Sequence, residues 1–321
     1  MQRPVWLLSM DSDEFHAPPT TTAALAAYFN RYGRTATDTD ISLVHFQGPD
    51  DIAPWLASWR EQQLPRGLQA LEDGLQPVIG FSFYTWNAAE FLHRVRVLRD
   101  LLPQALIVAG GPHVQQAEDY IGQDPIDVIF LGEAEISFCE FLDSAHSDGW
   151  SDVDGLAYLH EGEVFKTAER ARCTDLDQFP SPLEVLQLTD AQGRPLYESI
   201  AYETSRGWPF KCAFCEWGTG AIGSRMYQWS MERIRSDWET IVAAGTHANW
   251  QADSQLGAHT PALDTARLRV DLKQRTGLPV TDAPSCSTKH SRQLPEIAQL
   301  LHRAHLLPHY QLGQQTLTPE A

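Results

Sequence analysis

Two cysteines three residues apart, Cys212 and Cys215, form a pair that could bind a metal or carry out redox chemistry. They lie in the segment YETSRGWPFKCAFCEWG (202–218), and Trp208 stands four residues before the first of them. Taken alone, such a pair is typical of a redox couple or of half a zinc site. An indole has no lone pair for a metal. The segment therefore has the form of a metal-cluster loop with one ligand missing.

A second group of candidate residues follows three apolar segments in the first half of the chain. These segments are GFSFYTWN (80–87), IVAGGPHV (107–114) and DVIFLGEAE (127–135). Glycines at the end of a strand let a ligand approach the backbone, and tyrosine and tryptophan offer apolar faces to a flat ring system. Each feature also has a purely structural alternative. Gly110-Gly111 would be a tight turn, Trp86 a core aromatic residue, and the acid in FLGEAE a helix start. The candidate ligand-binding residues are Ser82, Tyr84, Trp86, Gly110, Gly111, Pro112, His113, Gly132 and Glu133.

Short apolar runs alternate with helical patterns in this half and predict the elements that position those residues. Continuous apolar runs are typical of strands that are buried on both faces, and they occur at 5–10, 41–46, 77–84, 105–111 and 127–132. Helical periodicity occurs between them, at 20–32, 51–72, 87–102, 113–122 and 134–144. Five such units in a row predict a doubly wound parallel sheet, which binds ligands beyond the carboxyl ends of its strands.

The rest of the chain predicts a linker and a second α/β series. Residues 151–197 contain a candidate hairpin that turns at Glu161-Gly162, followed by a proline-stiffened extended segment. Strands are then predicted at 199–205, 248–253, 278–283 and 308–316, with helices at 230–244, 261–276 and 291–304. The predicted domains are 1–150 and 198–321, joined by the hairpin and linker.

Composition limits the partners that we expect. A net charge of −18 repels phosphate backbones and anionic lipid surfaces, and no basic patch offsets it. No apolar run approaches the roughly 18 residues of a membrane span, and the amino terminus does not read as a signal peptide. The five cysteines are an odd number and are scattered apart from one pair, which argues against disulfides. We expect a cytoplasmic protein that binds small molecules or proteins, and no nucleic acid or membrane.

Taken together, the four segments GFSFYTWN, IVAGGPHV, DVIFLGEAE and ETSRGWPFKCAFCEWG, in this order, resemble the cobalamin-dependent radical S-adenosylmethionine (SAM) family. The resemblance covers nearly the whole chain. It implies a Rossmann-like domain that holds cobalamin (vitamin B12) at its strand ends, through the nine candidate residues. It also implies a partial barrel of the TIM type that carries a [4Fe–4S] cluster and SAM.

The resemblance also bears on how the cobalt would be held. Many members of the family lack a protein histidine beneath the cobalt. Here the segment DSDEFHAPPT (11–20) contains His16 but not the D-x-H-x-x-G pattern of histidine-ligating cobalamin domains. We therefore expect base-off cobalamin without a histidine ligand, and interpret His16 as a loop residue.

The cluster loop departs from the family pattern at one position. The family motif is C-x-x-x-C-x-x-C, whose three thiolates leave the fourth iron open to SAM. In this chain Trp208, Cys212 and Cys215 occupy the three positions. Either the cluster is absent or a third ligand comes from elsewhere, such as Cys173, Cys286 or a second chain, although each of these two cysteines also fits an inert core thiol.

The barrel half departs from the pattern as well. The segment AAGTHANWQADSQLG (243–257) lacks the Gly-Gly-Glu expected for the SAM amino group, and we count about four strands, fewer than in the family's barrel. The last strand would then be an open edge that a partner chain could cover. Five polar residues near the strand ends are interpreted as ordinary loop residues: Asp253, Gln255, His290, Gln314 and Gln315.

Two main functions fit these observations. The first is a cobalamin-binding accessory or partner subunit with a degenerate cluster and SAM site, acting as a homodimer or with an intact radical SAM enzyme. The second is an active methyltransferase or related tailoring enzyme of specialised metabolism that uses corrinoid chemistry without the usual SAM cleavage. A third is a module that only stores or senses cobalamin.

Overall fold

The computed structural model describes residues 2–12, 16–144, 147–211, 225–254, 257, 261–287, 292–307 and 311–313. The chain divides into two compact units. The first unit comprises Met1–Glu14, Pro19–Arg172 and Phe179–Leu186, and the second comprises Phe15–Pro18, Cys173–Gln178 and Gln187–Ala321.

The first unit is built on a seven-stranded sheet in the order β2-β1-β3-β4-β5-β6-β7. The first five strands run parallel, and β6 and β7 add an antiparallel hairpin at one side. The hairpin therefore extends this sheet, although its sequence stands in the segment predicted as hairpin and linker. The strands are β1 Arg3–Met10, β2 Thr39–Phe46, β3 Val78–Ser82, β4 Leu106–Gly110, β5 Val128–Phe130, β6 Leu156–His160 and β7 Glu163–Lys166.

Helices cover both faces of this sheet because alternate residues of each strand point to opposite sides. On one face, Trp6 and Leu8 of β1 belong to a core that includes Phe91 of a helix. On the other face, Val5 and Leu7 belong to a separate core. The helices are α1 Thr20–Tyr32, α2 Ile52–Gln62, α3 Leu64–Glu72, α4 Ala88–Leu101 and α5 Glu135–Asp143.

Two of the predicted helices differ in the structure. The segment predicted as one helix at 51–72 is divided into α2 and α3 at Gln63, because Pro65 fits only the first turn of a new helix. The helix predicted at 113–122 is reduced to a 3₁₀ turn at Ala117–Asp119. This turn and the residues after it bring Ala117, Tyr120 and Ile121 into the core, so a longer helix is not needed there.

The second unit contains a four-stranded parallel sheet in the order β13-β12-β11-β8. Each of its first three strands in chain order is followed by a helix that leads to the next strand, as at the start of a (β/α) barrel. The elements are β8 Ser199–Tyr202, β9 Ser205–Arg206, β10 Tyr227–Gln228, α6 Met231–Ala243, β11 Ala248–Gln251, α7 Ala262–Thr276, β12 Thr281–Ser287, α8 Leu294–Arg303 and β13 Gln311–Gly313. The short strands β9 and β10 pair antiparallel outside the main sheet.

These two sheets confirm the predicted α/β class, with a doubly wound parallel sheet followed by a partial barrel-like α/β series. No helix in the described ranges is both long and apolar enough to cross a membrane.

Candidate functional site

The carboxyl ends of β1, β3, β4 and β5 form one edge of the first sheet, which we call the ligand edge; it includes residues 82–87, 110–114 and 131–134. The strand order reverses between β1 and β3. The helices after these two strands lie on opposite faces, since Phe29 of α1 belongs to one core and Phe91 of α4 to the other. A crevice forms at such a switch point and is the usual ligand site of a doubly wound sheet.

A stacked pair of aromatic rings, one half-buried and one exposed, stands at this switch point. The rings of Tyr84 and Trp86 stack with centroids 4.5 Å apart and planes 20° from parallel. Trp86 Nε1 donates a hydrogen bond of 3.0 Å to the carbonyl oxygen of Met10, the last residue of β1. Trp86 is nevertheless 50% exposed. The alternative that Trp86 is a core residue is therefore wrong, and the pair offers a large apolar face beside the ends of β1 and β3.

Asn87 holds the turn that carries this aromatic pair. Its Oδ1 accepts a hydrogen bond of 2.8 Å from the backbone N–H of Tyr84, and its Nδ2 donates one of 3.1 Å to the carbonyl oxygen of Ser82. Asn87 is fully buried. Sequence reasoning missed this residue, although an asparagine directly before a helix is a common turn and cap residue.

The Gly-Gly-Pro turn after β4 contacts the loop after β3. Gly111 has a φ of 110°, and a Cβ atom built there would lie 2.5 Å from the carbonyl oxygen of Phe83. The backbone N–H of Phe83 donates to Gly110 O at 2.7 Å, and that of His113 donates to Phe83 O at 3.2 Å. The backbone that approaches Gly111 is therefore that of the neighbouring loop. Pro112 is exposed beside it, and His113 is half-buried.

We predict that Gly111→Ala destabilises the first unit much more than Gly132→Ala. Both positions have a positive φ, which costs an alanine about 1–2 kcal/mol. Space surrounds a Cβ at Gly132, whereas one at Gly111 collides with the backbone of Phe83, which adds an overpacking cost of about 1–3 kcal/mol. Urea unfolding of both variants measures the difference. Equal losses of unfolding free energy would contradict the packing role of Gly111.

Glu133 presents a carboxylate oxygen at the end of β5. Its Oε1 accepts hydrogen bonds from Nη2 and Nε of Arg172, at 2.8 and 3.2 Å. Its Oε2 is buried and has no hydrogen-bond partner among the described residues. A buried acceptor left without a donor costs free energy. A Cβ at the adjacent Gly132 would meet open space, so this edge of the sheet has room beside the buried carboxylate.

In the second unit, Cys212 and Cys215 lie outside the described residues, as do Gln255, His290, Gln314 and Gln315. Trp208 is described, and it is only 6% exposed. Its ring meets that of Phe210 edge to face, with centroids 5.2 Å apart. A buried indole therefore occupies the position that the family motif gives to its first cysteine.

The other cysteines have different surroundings. Burial raises the pKa of the Cys139 thiol to about 12, which leaves it protonated and unreactive at neutral pH. Cys173 is half-buried, and its thiol donates to the carbonyl oxygen of Asp175 at 3.0 Å. Cys286 lies in β12. His16, in the loop after β1, is exposed.

Asp253 was expected to be a solvated loop residue, and this prediction is wrong. The side chain is buried and accepts hydrogen bonds from Thr204, Ser205 and Gln251. Asp253 was the last residue of the strand predicted at 248–253, whereas β11 ends at Gln251, and the sequence could not show that the loop after β8 folds over the carboxylate. All of these donors belong to described residues of the second unit.

Comparison with known proteins gives a matching family model and related sequences. Residues 15–142 match the family model described as the B12 binding domain. The chain is 28% identical over 260 residues to a 2-(S-pantetheinyl)-carbapenam-3-carboxylate methyltransferase of Streptantibioticus cattleyicolor. It is 26% identical over 259 residues to the cobalamin-dependent radical SAM methyltransferase TokK of Streptomyces tokunonensis. Each match covers 78% of this chain but only 38% of the relative's length.

Solved structures show the same fold. The radical SAM methyltransferase TsrM of Kitasatospora setae, solved with cobalamin and a [4Fe–4S] cluster, superposes with a TM-score of 0.63 and 17% identity, over 100% of this chain and 60% of that one. The radical SAM enzyme OxsB, solved with aqua-cobalamin and SAM, gives 0.61 and 16%, over 98% and 44%. Residues 15–142 thus match the B12 binding domain, and the chain is similar in sequence to a protein named as a cobalamin-dependent radical SAM methyltransferase and similar in fold to TsrM and OxsB.

Proposed function

We propose that this protein binds base-off cobalamin at the ligand edge and works as an accessory or partner subunit in a specialised-metabolite pathway. One observation carries the proposal. The Tyr84–Trp86 stack, in which Trp86 is exposed, lies at the switch point of a doubly wound sheet, within the residues that match the B12 binding domain. A flat, largely apolar macrocycle is the class of ligand that such a surface suits.

The residues at the ligand edge fit cobalamin chemically. The rim of the corrin ring carries carboxamide groups, whose N–H donors match the unpaired Oε2 of Glu133. The Tyr84–Trp86 stack supplies an apolar surface for the ring, and Gly132 leaves space beside the carboxylate. Ser82, Gly110, Gly111, Pro112 and His113 complete the proposed cofactor-binding set. His16 lacks the D-x-H-x-x-G context of a cobalt ligand, which favours the base-off form without a histidine.

The donor set of the second unit does not fit a [4Fe–4S] cluster. Three thiolates hold the cluster in the family motif, and here the first of the three positions is the buried indole of Trp208. We therefore derive no step through a cluster or through SAM bound to one. Bound cobalamin would supply methyl-transfer chemistry at its cobalt. On this proposal the chain's own residues bind and orient that cofactor for use with a partner.

The second candidate is an active methyltransferase or a related tailoring enzyme. Two relatives that match most of this chain carry methyltransferase names, and this observation favours it. The two candidates differ in what the isolated chain does. An enzyme turns over a methyl donor once cobalamin is bound, whereas an accessory subunit binds cobalamin and turns over only when a partner is present.

Anaerobic purification with added hydroxocobalamin, iron and sulfide tests the proposal. We expect one corrinoid per chain with a base-off absorbance spectrum, together with substoichiometric iron. No uptake of cobalamin, or the spectrum of the base-on form, would contradict the cofactor assignment. Methyl transfer by the isolated chain would favour the enzyme over the accessory subunit.

We also propose that the protein associates with a second chain, as a homodimer or with an intact radical SAM enzyme. In a homodimer, two Cys212/Cys215 pairs would bring four thiolates to one assembly, enough for a shared zinc ion or cluster. Light scattering of the same preparation at low micromolar concentration tests this. A stable monomer would contradict the association and leave cobalamin binding as a separate claim.

A further inference from the structure

A carboxylate with five hydrogen-bond donors lies two residues after the end of β11 in the second unit. Asp253 is 2% exposed. Its Oδ1 accepts from the backbone N–H groups of Thr204 and Ser205 at 2.8 and 2.6 Å, and from Ser205 Oγ at 3.0 Å. Its Oδ2 accepts from Thr204 Oγ1 at 2.7 Å and from Gln251 Nε2 at 2.6 Å. With both oxygens occupied, Asp253 is suited to hold the chain and poorly suited to bind a ligand.

The residue after Asp253, Ser254, contacts residues 204–207 at a second point. Ser254 Oγ donates a hydrogen bond of 2.5 Å to the carbonyl oxygen of Gly207. Residues 253–254 therefore contact Thr204, Ser205 and Gly207, which precede the C-x-x-C sequence in the chain. We call residues 253–254 the anchor.

The residues just before and just after the segment that contains Cys212 and Cys215 are also bonded to each other. Ser205 and Arg206 of β9 pair antiparallel with Gln228 and Tyr227 of β10. The backbone N–H of Trp229 donates to the carbonyl oxygen of Thr204 at 3.2 Å. The residues before and after the cysteine segment are thus joined to each other, and the anchor joins them to the main sheet.

A buried polar chain extends inward from the anchor. Gln251, which donates to Asp253, lies in β11, and its Oε1 accepts at 3.5 Å from Arg269 of α7. Arg269 Nε lies 2.9 Å from Asp282 Oδ2, and both side chains are fully buried. Asn249 donates to Asp282 Oδ1 at 2.6 Å. Because Asn249 and Asp282 are register partners in β11 and β12, these contacts connect the anchor to the interior of the sheet.

We infer that Asp253 and Ser254 are positioning residues that fix the base of the segment containing Cys212 and Cys215. A carboxylate suits this role because it only accepts, and all five groups around it donate. An asparagine would replace one acceptor oxygen by an NH₂ group that faces donors. The inference rests on the proposed function only where it treats the segment as a cluster loop, since the anchoring contacts stand without it.

Asp253→Asn tests the anchor, with Asp237→Asn as its matched control. Asp237 is a buried carboxylate of the same unit, bonded to Tyr202 and Arg233. Hydrogen exchange of the peptide 203–211 is measured in both variants and in the unmutated chain. We expect exchange at Thr204 and Ser205 to accelerate at least tenfold in Asp253→Asn and less than about twofold in the control.

Ser254 provides a milder test if Asp253→Asn does not fold. Ser254→Ala removes the contact with Gly207 without burying a charge, and Ser254→Thr keeps the hydroxyl. We expect faster exchange of the same peptide in Ser254→Ala and recovery in Ser254→Thr. Unchanged exchange in Ser254→Ala, or equal acceleration in both, would overturn the inference. Equal exchange of this peptide in Asp253→Asn and Asp237→Asn would also overturn the inference.

A second readout separates this inference from the proposed function. In a Trp208→Cys background, which restores a third thiolate, Asp253→Asn should lower iron incorporation severalfold relative to Asp237→Asn. Equal iron content in the two double variants would overturn the positioning role. If the Trp208→Cys background binds no iron, the treatment of the segment as a cluster loop fails, and hydrogen exchange alone decides whether the anchor exists.

Discussion

Trp86→Ala should weaken cobalamin binding by about 10- to 100-fold. Half of this side chain is exposed at the switch point, where it stacks on Tyr84. Burying a large apolar side chain against a ligand is worth about 1.5–3 kcal/mol, and each 1.4 kcal/mol corresponds to about tenfold in affinity. Absorbance titration with hydroxocobalamin measures the dissociation constant.

Two further variants show which property of Trp86 matters. Trp86→Phe keeps an aromatic ring but loses the hydrogen bond from Nε1 to Met10, so its affinity should fall between those of the unmutated protein and Trp86→Ala. Phe165→Ala is the matched control, because Phe165 is an exposed aromatic residue on β7 of the same unit. An unchanged dissociation constant in Trp86→Ala, or an equal loss in Phe165→Ala, would exclude the stack as the ring-binding surface.

The parallel sheet of the first unit could be predicted because its strands are continuous apolar runs with helical segments between them. Periodicity reports burial, and burial on both faces is what distinguishes a central parallel strand. The same signal does not report helix length. The turn at Ala117–Asp119 supplies apolar contacts that a helix would also supply, so its pattern was misinterpreted.

Contacts between segments distant in sequence account for what could not be predicted at the two sites. Gly111 was noted as a strand-end glycine, but its neighbour is the backbone of Phe83, which only the folded sheet brings there. Four of the five hydrogen bonds to Asp253 come from a loop almost fifty residues earlier in the chain. An aspartate after a strand is usually solvated, and a single sequence contains no sign that another loop will bury it.

Trp208→Cys should raise the iron content of the reconstituted protein to about four atoms per chain. The substitution restores the C-x-x-x-C-x-x-C spacing with Cys212 and Cys215, so that three thiolates become available to one cluster. Because Trp208 is buried against Phe210, replacing it also leaves a cavity, and a buried Trp→Ala change costs about 3–5 kcal/mol. The reconstitution is therefore best done at low temperature.

Trp208→Ala is the control that separates the new thiolate from the cavity. It removes the same indole and adds no ligand, so its iron content should stay at the level of the unmutated protein. Adding Cys215→Ala to Trp208→Cys should abolish the gain, because two thiolates again remain. Iron analysis, together with absorbance in the region of thiolate-to-iron charge transfer, measures all four proteins. A full cluster in the unmutated chain that Cys212→Ala removes would mean that another residue supplies the third ligand, and Trp208 would then be compatible with an intact cluster site.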